Sequence, residues 1–156
     1  MSDTVWVVDD DEIVRGLLGM MLRDLGYSVE LFAQGKDVLS RLRVASPDVF
    51  IVDMRMPELN GIELTRSIME TYPQAIVIIL TAYPSIEDAV EAIHLGASDY
   101  LSKPFDKAQI QVRVGRLLNR RRLQTRLKRT RMAVRTLVET LPIWIILGML
   151  AARHLW

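Results

Sequence analysis

The sequence contains no cysteine, which excludes disulfide bonds and zinc sites built on cysteine ligands. This absence fits a reducing compartment. The chain also lacks an opening in which basic residues precede an apolar stretch and a small-residue cleavage site, because an apolar strand candidate begins at Thr4 and meets acids at Asp9. We therefore expect a cytoplasmic protein without a secretory signal.

Acidic residues are almost absent from the C-terminal part. Residues 113–156 hold 11 Lys/Arg and a single acid, Glu139, a net charge of +10. Residues 1–112 hold 9 Lys/Arg and 18 Asp/Glu, a net charge of −9. With 156 residues, 50% apolar, the chain suits one core-bearing domain of ordinary size with a small appendage. The charge division indicates that these two parts have different roles.

Short apolar runs rich in β-branched residues alternate with stretches of helical period, which predicts βα units around a parallel sheet. We expect a flavodoxin-like α/β fold, a (βα)5 doubly wound parallel sheet with an extended C-terminal helix. The predicted strands are Thr4 to Val8, Ser28 to Phe32, Asp48 to Val52, Ala75 to Leu80 and Asp99 to Leu101. The predicted helices cover about 12–25, 35–44, 61–71 and 85–95, and a fifth begins near Asp106.

Beyond the fifth strand there is no proline between Asp106 and Leu141, and Gly115 is the only glycine, so the fifth helix can continue outward. We divide the chain into a core domain (3–118), a basic helical extension (119–141) that could form a dimeric coiled coil, and an apolar tail (142–156). The extension carries a short heptad seam with alternating steps of four and three residues. Its members are Leu123, Leu127, Thr130, Val134, Leu137 and Leu141.

Polar residues stand at the ends of four predicted strands: Asp9-Asp10 after the first, Asp53 after the third, Thr81 after the fourth and Lys103-Pro104 after the fifth. In a parallel sheet these ends collect functional groups, near the point where strand order reverses. Three carboxylates in one crevice repel each other unless a cation is present. A hard divalent ion that takes oxygen ligands, either Mg²⁺ or Mn²⁺, would offset this repulsion.

A carboxylate can also attack phosphorus and form an aspartyl phosphate, provided that charge on the transferred group is neutralised. Magnesium can cover one phosphoryl oxygen, Lys103 a second, and the Thr81 hydroxyl with a nearby backbone N–H the third. The residues by themselves therefore predict Asp53 as a phosphoryl acceptor.

Four segments together resemble the receiver domain of bacterial response regulators: 7–11 (VVDDD), 52–57 (VDMRMP), 80–82 (LTA) and 100–105 (YLSKPF). The resemblance covers about residues 3–120, and its pattern is most similar to nitrogen-regulator-type transcriptional activators. It implies that Asp53 is phosphorylated and that Asp10, Asp53 and the Arg55 backbone carbonyl ligate magnesium, with Asp9 acting through water. It also implies that Lys103, before a cis bond to Pro104, contacts the phosphoryl group. Thr81 and Tyr100 match the family's switch pair.

By the same resemblance the partner is a sensor histidine kinase or a phosphotransfer protein. We expect a phosphorylation-activated switch, not an enzyme beyond its own phosphorylation and dephosphorylation, that forms a homodimer through the face of the fourth and fifth helices and through the C-terminal helix. If the chain is part of a longer regulator, we expect that regulator to control transcription. DNA would then be contacted indirectly or through an output domain. The alternative is a stand-alone receiver that acts through protein partners.

Other interpretations remain beside this one. A magnesium-dependent phosphatase with an aspartyl nucleophile would normally carry a general acid two residues after it, where this chain has Arg55. A basic-helix nucleic-acid binder is a further alternative, although no aromatic interleaves the basic residues and no helix-turn-helix is recognisable. The apolar stretch 141–152 is shorter than the roughly 20 residues of a membrane span. This stretch could lie in a membrane interface, pack on a partner or begin a further domain, and of these we expect partner burial rather than membrane contact.

Overall fold

The computed structural model describes residues 2–152, and these form five strands and six helices, numbered along the chain. The strands are β1 (Thr4–Val8), β2 (Ser28–Phe32), β3 (Val49–Asp53), β4 (Val77–Thr81) and β5 (Asp99–Ser102). The helices are α1 (Glu12–Asp24), α2 (Gly35–Leu42), α3 (Gly61–Thr71), α4 (Ile86–His94), α5 (Lys107–Thr140) and α6 (Ile143–Ala152).

The five strands form one parallel sheet in the order β2-β1-β3-β4-β5. Along the chain, the sheet first grows from β1 to β2 on one side and then from β1 to β3, β4 and β5 on the other side. Strand order therefore reverses between β1 and β3, and the carboxyl ends of these two strands flank the crevice. The predicted α/β fold with its extended C-terminal helix is confirmed.

Alternate residues of each strand face opposite sides of the sheet and build two separate cores. Val5, Val7 and Ile51 pack with α1 and α5, whereas Trp6 and Phe50 pack with α2, α3 and α4. Because helices cover both faces, β3 and β4 are buried at every position, which explains their nearly continuous apolar runs.

Local sequence signals set the helix ends. Asp11 caps α1 by accepting from the backbone N–H groups of Ile13 and Val14, and Ser85 caps α4 in the same way. Gly26 and Gly96 follow α1 and α4 with φ of 92° and 96°, the left-handed conformation in which glycine carries no steric penalty.

The chain divides into two compact units, one that ends at Leu118 and another that begins at Asn119. The first part of α5 buries Ile110, Val114, Leu117 and Leu118, and its later part is exposed. The sequence did not predict α6, where the interpretation named only an apolar tail. Residues 153–156 of that tail lie outside the described residues. Within 2–152, no single helix is long and apolar enough to cross a membrane, although α5 and α6 taken together as a bent pair reach that length and composition.

Candidate functional site

The end of β1 presents a buried carboxylate, Asp9, whose side chain is engaged at both oxygens. Oδ1 accepts from the backbone N–H of Asp11 at 2.9 Å, and Oδ2 accepts from the Lys103 ammonium at 2.9 Å. The Arg15 guanidinium donates to the carbonyl oxygen of Asp9 at 2.8 Å and so ties α1 to the same loop. Asp9, only 1% exposed, is therefore held rigidly and in turn positions the lysine.

The end of β3 presents Asp53, which is 6% exposed. Its Oδ1 accepts from the Lys103 ammonium at 2.8 Å, and among the described residues Oδ2 accepts no hydrogen bond. The backbone directly after it is fixed by Met54 N–H donating to the Leu80 carbonyl at 2.7 Å and Gly61 N–H donating to the Met54 carbonyl at 2.9 Å. The carboxylate thus stands in one orientation with one oxygen left for other ligands.

Gly61 lies unusually close to this strand end. A Cβ at that position would lie 2.3 Å from the Asp53 carbonyl oxygen and 2.8 Å from the Met54 Cα. Only a residue without a side chain allows α3 to begin at this point. The start of α3 at Gly61 agrees with the predicted helix over 61–71, whereas the contact of Gly61 with Asp53 came only from the structure.

Lys103 follows β5 and joins the two acids. Its peptide bond to Pro104 is cis, as the resemblance implied, and its backbone N–H donates to the Thr81 carbonyl at 2.7 Å. The side chain is 18% exposed, and its ammonium contacts the carboxylates of Asp9 and Asp53 together. One cation therefore faces two buried carboxylates.

This imbalance of charge shifts the pKa values of Asp53 and Lys103. The pKa of Asp53 is raised, and burial is the largest cause. The hydrogen bond from Lys103 lowers this pKa, whereas the nearby charges of Asp9 and Asp10 raise it further. Burial lowers the pKa of Lys103, but its hydrogen bonds and charge interactions with the two carboxylates outweigh burial, so that this pKa is raised overall. The ammonium stays charged, and the site lacks positive charge.

A third carboxylate, the exposed Asp10, completes the acid cluster. One oxygen from each of Asp9, Asp10 and Asp53 lies within 4.8 Å of the others. Oxygen donors at this spacing, with excess negative charge and an open side, suit a hard divalent cation. The same cleft, about 240 Å³ in volume, is lined by Arg55, the residue whose carbonyl the resemblance assigned to the metal. The donor set fits Mg²⁺ or Mn²⁺.

The two residues matched to the switch pair have different surroundings. Thr81 is 1% exposed, and its Oγ1 accepts from the Tyr83 backbone N–H at 3.1 Å. Tyr100 packs against the core formed with α2, α3 and α4, and does not line the cleft. Its hydroxyl is buried and has no hydrogen-bond partner among the described residues. The ring therefore points inward, with its polar end unsatisfied.

Sequence reasoning missed one side chain near the acids, and the structure adds detail at a second. Arg15 was not singled out, although it anchors the Asp9 loop from six residues away. Tyr83 lines the cleft and is 67% exposed, with the Arg55 guanidinium 5.2 Å from its ring centre. The available signal for Tyr83 was its position: it follows Thr81 by two residues, as Arg55 follows Asp53, so both residues stand just beyond the carboxyl end of a strand.

Comparison with known proteins gives consistent matches. A family model described as response regulator receiver domain matches residues 5–115. The transcriptional regulatory protein CreB of Escherichia coli is 37% identical over 118 residues, which are 76% of this chain and 52% of CreB. The DNA-binding transcriptional regulator NtrC of Salmonella typhimurium is 43% identical over 102 residues, which are 65% of this chain and 22% of NtrC. The chain thus spans about half of CreB and a smaller part of NtrC.

Solved structures agree with these matches. The BeF3-activated receiver domain of DrrB is 33% identical, with a TM-score of 0.70, and the match covers 76% of this chain and 99% of that one. A CheY-like receiver domain protein from Methanospirillum hungatei has a TM-score of 0.76 at 23% identity, covering 80% of this chain and 99% of that one. The second match concerns the fold alone.

Proposed function

This chain belongs to the response regulator receiver domain family, and from that membership we propose that Asp53 is the phosphoryl acceptor of a two-component signalling switch. The observation that carries the proposal is the ammonium of Lys103, which holds Asp53 Oδ1 at 2.8 Å and Asp9 Oδ2 at 2.9 Å in one cleft with Asp10. This arrangement supports the roles of Asp53 as nucleophile, Lys103 as neutralising cation and the acid cluster as donors for a metal.

Phosphoryl transfer is then an exchange of one bond for another. A carboxylate oxygen of Asp53 bonds to phosphorus while the donor's bond to phosphorus breaks, and the donor leaves with that electron pair. Lys103 neutralises one phosphoryl oxygen, and Thr81, whose Oγ1 accepts from Tyr83, retains a hydroxyl hydrogen to donate to another. A divalent cation held by Asp10, Asp53 and the Arg55 carbonyl would supply the remaining positive charge.

The signal leaves the site through Thr81 and Tyr100. Movement of the Thr81 hydroxyl toward the phosphoryl group changes the space beside β4. The ring of Tyr100, on the neighbouring strand, changes its position in response. β4 and β5 pair with Ile79 opposite Tyr100, so that the two side chains belong to adjoining strands. This motion alters the surface formed by α4, β5 and the start of α5.

Exposed apolar side chains support two partner surfaces. Ile13, Leu17 and Met20, 82%, 40% and 62% exposed, follow one face of α1 beside the acid cluster, and we assign this face to the histidine kinase or phosphotransfer protein. Ile93 of α4 and Val112 of α5, 62% and 63% exposed, support association of two copies through the α4–α5 face. Transcription regulation is the proposed output, with DNA bound by a partner or a further domain, and the cytoplasm is the proposed compartment.

Incubation with magnesium and acetyl phosphate tests the acceptor. We expect intact mass to increase by one phosphoryl group in the wild type and not in Asp53→Asn. Asp37→Asn, which removes an exposed carboxylate in the first turn of α2, is the matched control and should label as the wild type does. Equal labelling of Asp53→Asn, or no labelling of any variant, would refute the assignment. Rapid multiple turnover of a phosphate ester would favour the phosphatase alternative instead.

A further inference from the structure

Residues 119–152, which form the C-terminal extension, expose most of their large apolar side chains. Leu127 is 60% exposed, Val134 54%, Trp144 71% and Leu147 61%. The extension belongs to a compact unit of its own, yet none of its side chains that the structure describes belongs to the buried hydrophobic core. Contiguous exposed apolar surface of this kind marks an interaction site.

The later part of α5 is amphipathic. At 3.6 residues per turn, Leu123, Leu127, Val134 and Leu137 share one stripe about 100° wide. Met132, 72% exposed, lies opposite this stripe. Basic side chains flank the stripe and cover most of the remaining helix surface: Arg120, Arg121, Arg122, Arg126, Lys128, Arg129, Arg131 and Arg135. The sole acid of the extension, Glu139, accepts from Arg135 of the same helix at 2.6 Å. The occupant of this face must therefore offer apolar contact together with negative charge.

The adjoining helix α6 has no polar face. Ile143, Trp144, Leu147 and Met149 point to different sides of the helix and are 76%, 71%, 61% and 65% exposed. A soluble partner helix buries one stripe, whereas a helix that is apolar all round requires an apolar medium on every side. At 10 residues, about 15 Å of helix, α6 is too short to cross a bilayer but fits within the acyl region of one leaflet, which is about half of the roughly 30 Å hydrocarbon core.

Pairing of two copies through the seam accounts less well for these features. In a parallel two-stranded coil the residues beside the seam meet across the interface, with Arg126 of one chain facing Arg131 of the other. Equal charges at this position repel, and the only nearby acid is already paired with Arg135. Such a coil would also leave α6 uncovered.

We propose that the C-terminal extension is an interfacial anchor for a bilayer surface that contains anionic lipids. α6 inserts among the acyl chains of one leaflet and the apolar stripe of α5 lies at the boundary of headgroups and acyl chains, while Arg126 and Arg131, at the edges of the stripe, contact the anionic headgroups. An apolar insert combined with a basic patch supplies the two signals that stable anchoring requires. The sequence interpretation favoured burial by a protein partner for this apolar stretch, and the apolar surface exposed on all sides of α6 is the observation that favours the bilayer instead.

Flotation of the full chain with lipid vesicles tests the anchor and separates bound protein from aggregates. We expect the protein to float with phosphatidylcholine vesicles that contain phosphatidylglycerol, much less with phosphatidylcholine alone, and less as salt is added. Each basic group at an anionic surface contributes roughly a factor of five, so Arg126→Gln with Arg131→Gln should lower partitioning about 25-fold. Trp144→Ser, which removes a large apolar insert, should lower it about tenfold.

The matched control is Arg43→Gln with Arg66→Gln, which removes two exposed charges outside the extension and should leave flotation unchanged. Failure to float with anionic vesicles, equal flotation with both lipids, or equal loss in the control would overturn the anchor. So would a stable dimer in sedimentation that is abolished by Leu127→Gln while vesicle binding is absent. Asp53→Asn should float as the wild type does, which keeps this result separate from the acceptor assignment.

Discussion

Replacing Gly61 by alanine should damage both the stability and the chemistry of the domain. The new Cβ would lie 2.3 Å from the Asp53 carbonyl oxygen, 2.8 Å from the Met54 Cα and 3.0 Å from the Asp53 carbonyl carbon. Ordinary contact distances are roughly an ångström longer. Because every one of these neighbours is backbone, no side chain can rotate away, and either the end of β3 or the start of α3 must move.

The size of the effect follows from three contributions. Overpacking against backbone belongs at the upper end of its usual range, about 3 kcal/mol. Displacement of α3 also weakens its capping box, in which Asn60 and Glu63 bond each other's backbone N–H groups, at about 1 kcal/mol. The lower entropy of the unfolded alanine chain offsets roughly 0.5–1 kcal/mol. We expect a net loss of about 3 kcal/mol, or roughly 10 °C in the melting temperature.

Thermal unfolding and the rate of labelling by acetyl phosphate measure the two consequences. A shift of Asp53 by a fraction of an ångström to 1 Å should slow its phosphorylation about 10- to 100-fold. Gly16→Ala is the matched control, because Gly16 lies inside α1 with nothing within 4 Å of its added Cβ, and this change should stabilise by about 0.5–1 kcal/mol. If the Gly61 variant melted and reacted as the Gly16 variant does, the close-approach argument would be wrong.

Three further perturbations address the charges and the unsatisfied hydroxyl. Because burial raises the pKa of Asp53, folding favours the protonated form of this carboxyl. Its stabilising contribution is complete at a pH below the ordinary carboxyl pKa and is lost as pH rises through the raised pKa. In metal-free buffer Asp53→Asn should therefore melt a few degrees higher than the wild type near neutral pH, and the gain should vanish in acid; a gain that grew in acid would contradict this sign. Lys103→Gln leaves Asp9 and Asp53 without their shared cation and should cost about 3 kcal/mol in urea unfolding, whereas an unchanged midpoint would show that the pair contributes little. Tyr100→Phe removes a buried hydroxyl that has no partner among the described residues, so stability should stay equal or rise by up to about 1 kcal/mol, and a clear loss would indicate a hydrogen bond that the structure does not contain.

Most of the receiver fold was readable from the residues because its signals are local. The runs in β3 and β4 are apolar at nearly every position, as double coverage by helices requires, and Gly26 and Gly96 mark the ends of α1 and α4. Helix α6 was missed because its apolar residues surround the helix and give no period of 3.6 from which to recognise it. Strand and helix ends mostly differed by one or two residues, which is the normal precision of such boundaries.

The candidate site divides in a similar way. Asp9, Asp10, Asp53 and Lys103 stand at strand ends, and a parallel sheet brings such ends to one edge whatever the details of packing. That Lys103 would contact Asp9 and Asp53 at once, or that Arg15 would hold the Asp9 backbone, depends on side-chain directions. Those directions are set by neighbours distant in the chain, and no spacing in the sequence encodes them.

The sequence by itself therefore determined the order of βα units, the identity of the acids and the lysine at the strand ends, and the division between an acidic domain and a basic extension. These follow from periodicity and charge, which are properties of residues close together in the chain. The tertiary structure alone decided that Gly61 touches the backbone of Asp53, that the Tyr100 hydroxyl is buried without a partner among the described residues, and that apolar faces of the C-terminal extension stay uncovered. Each of these depends on which distant segments fill the space around a residue, and packing in three dimensions settles that.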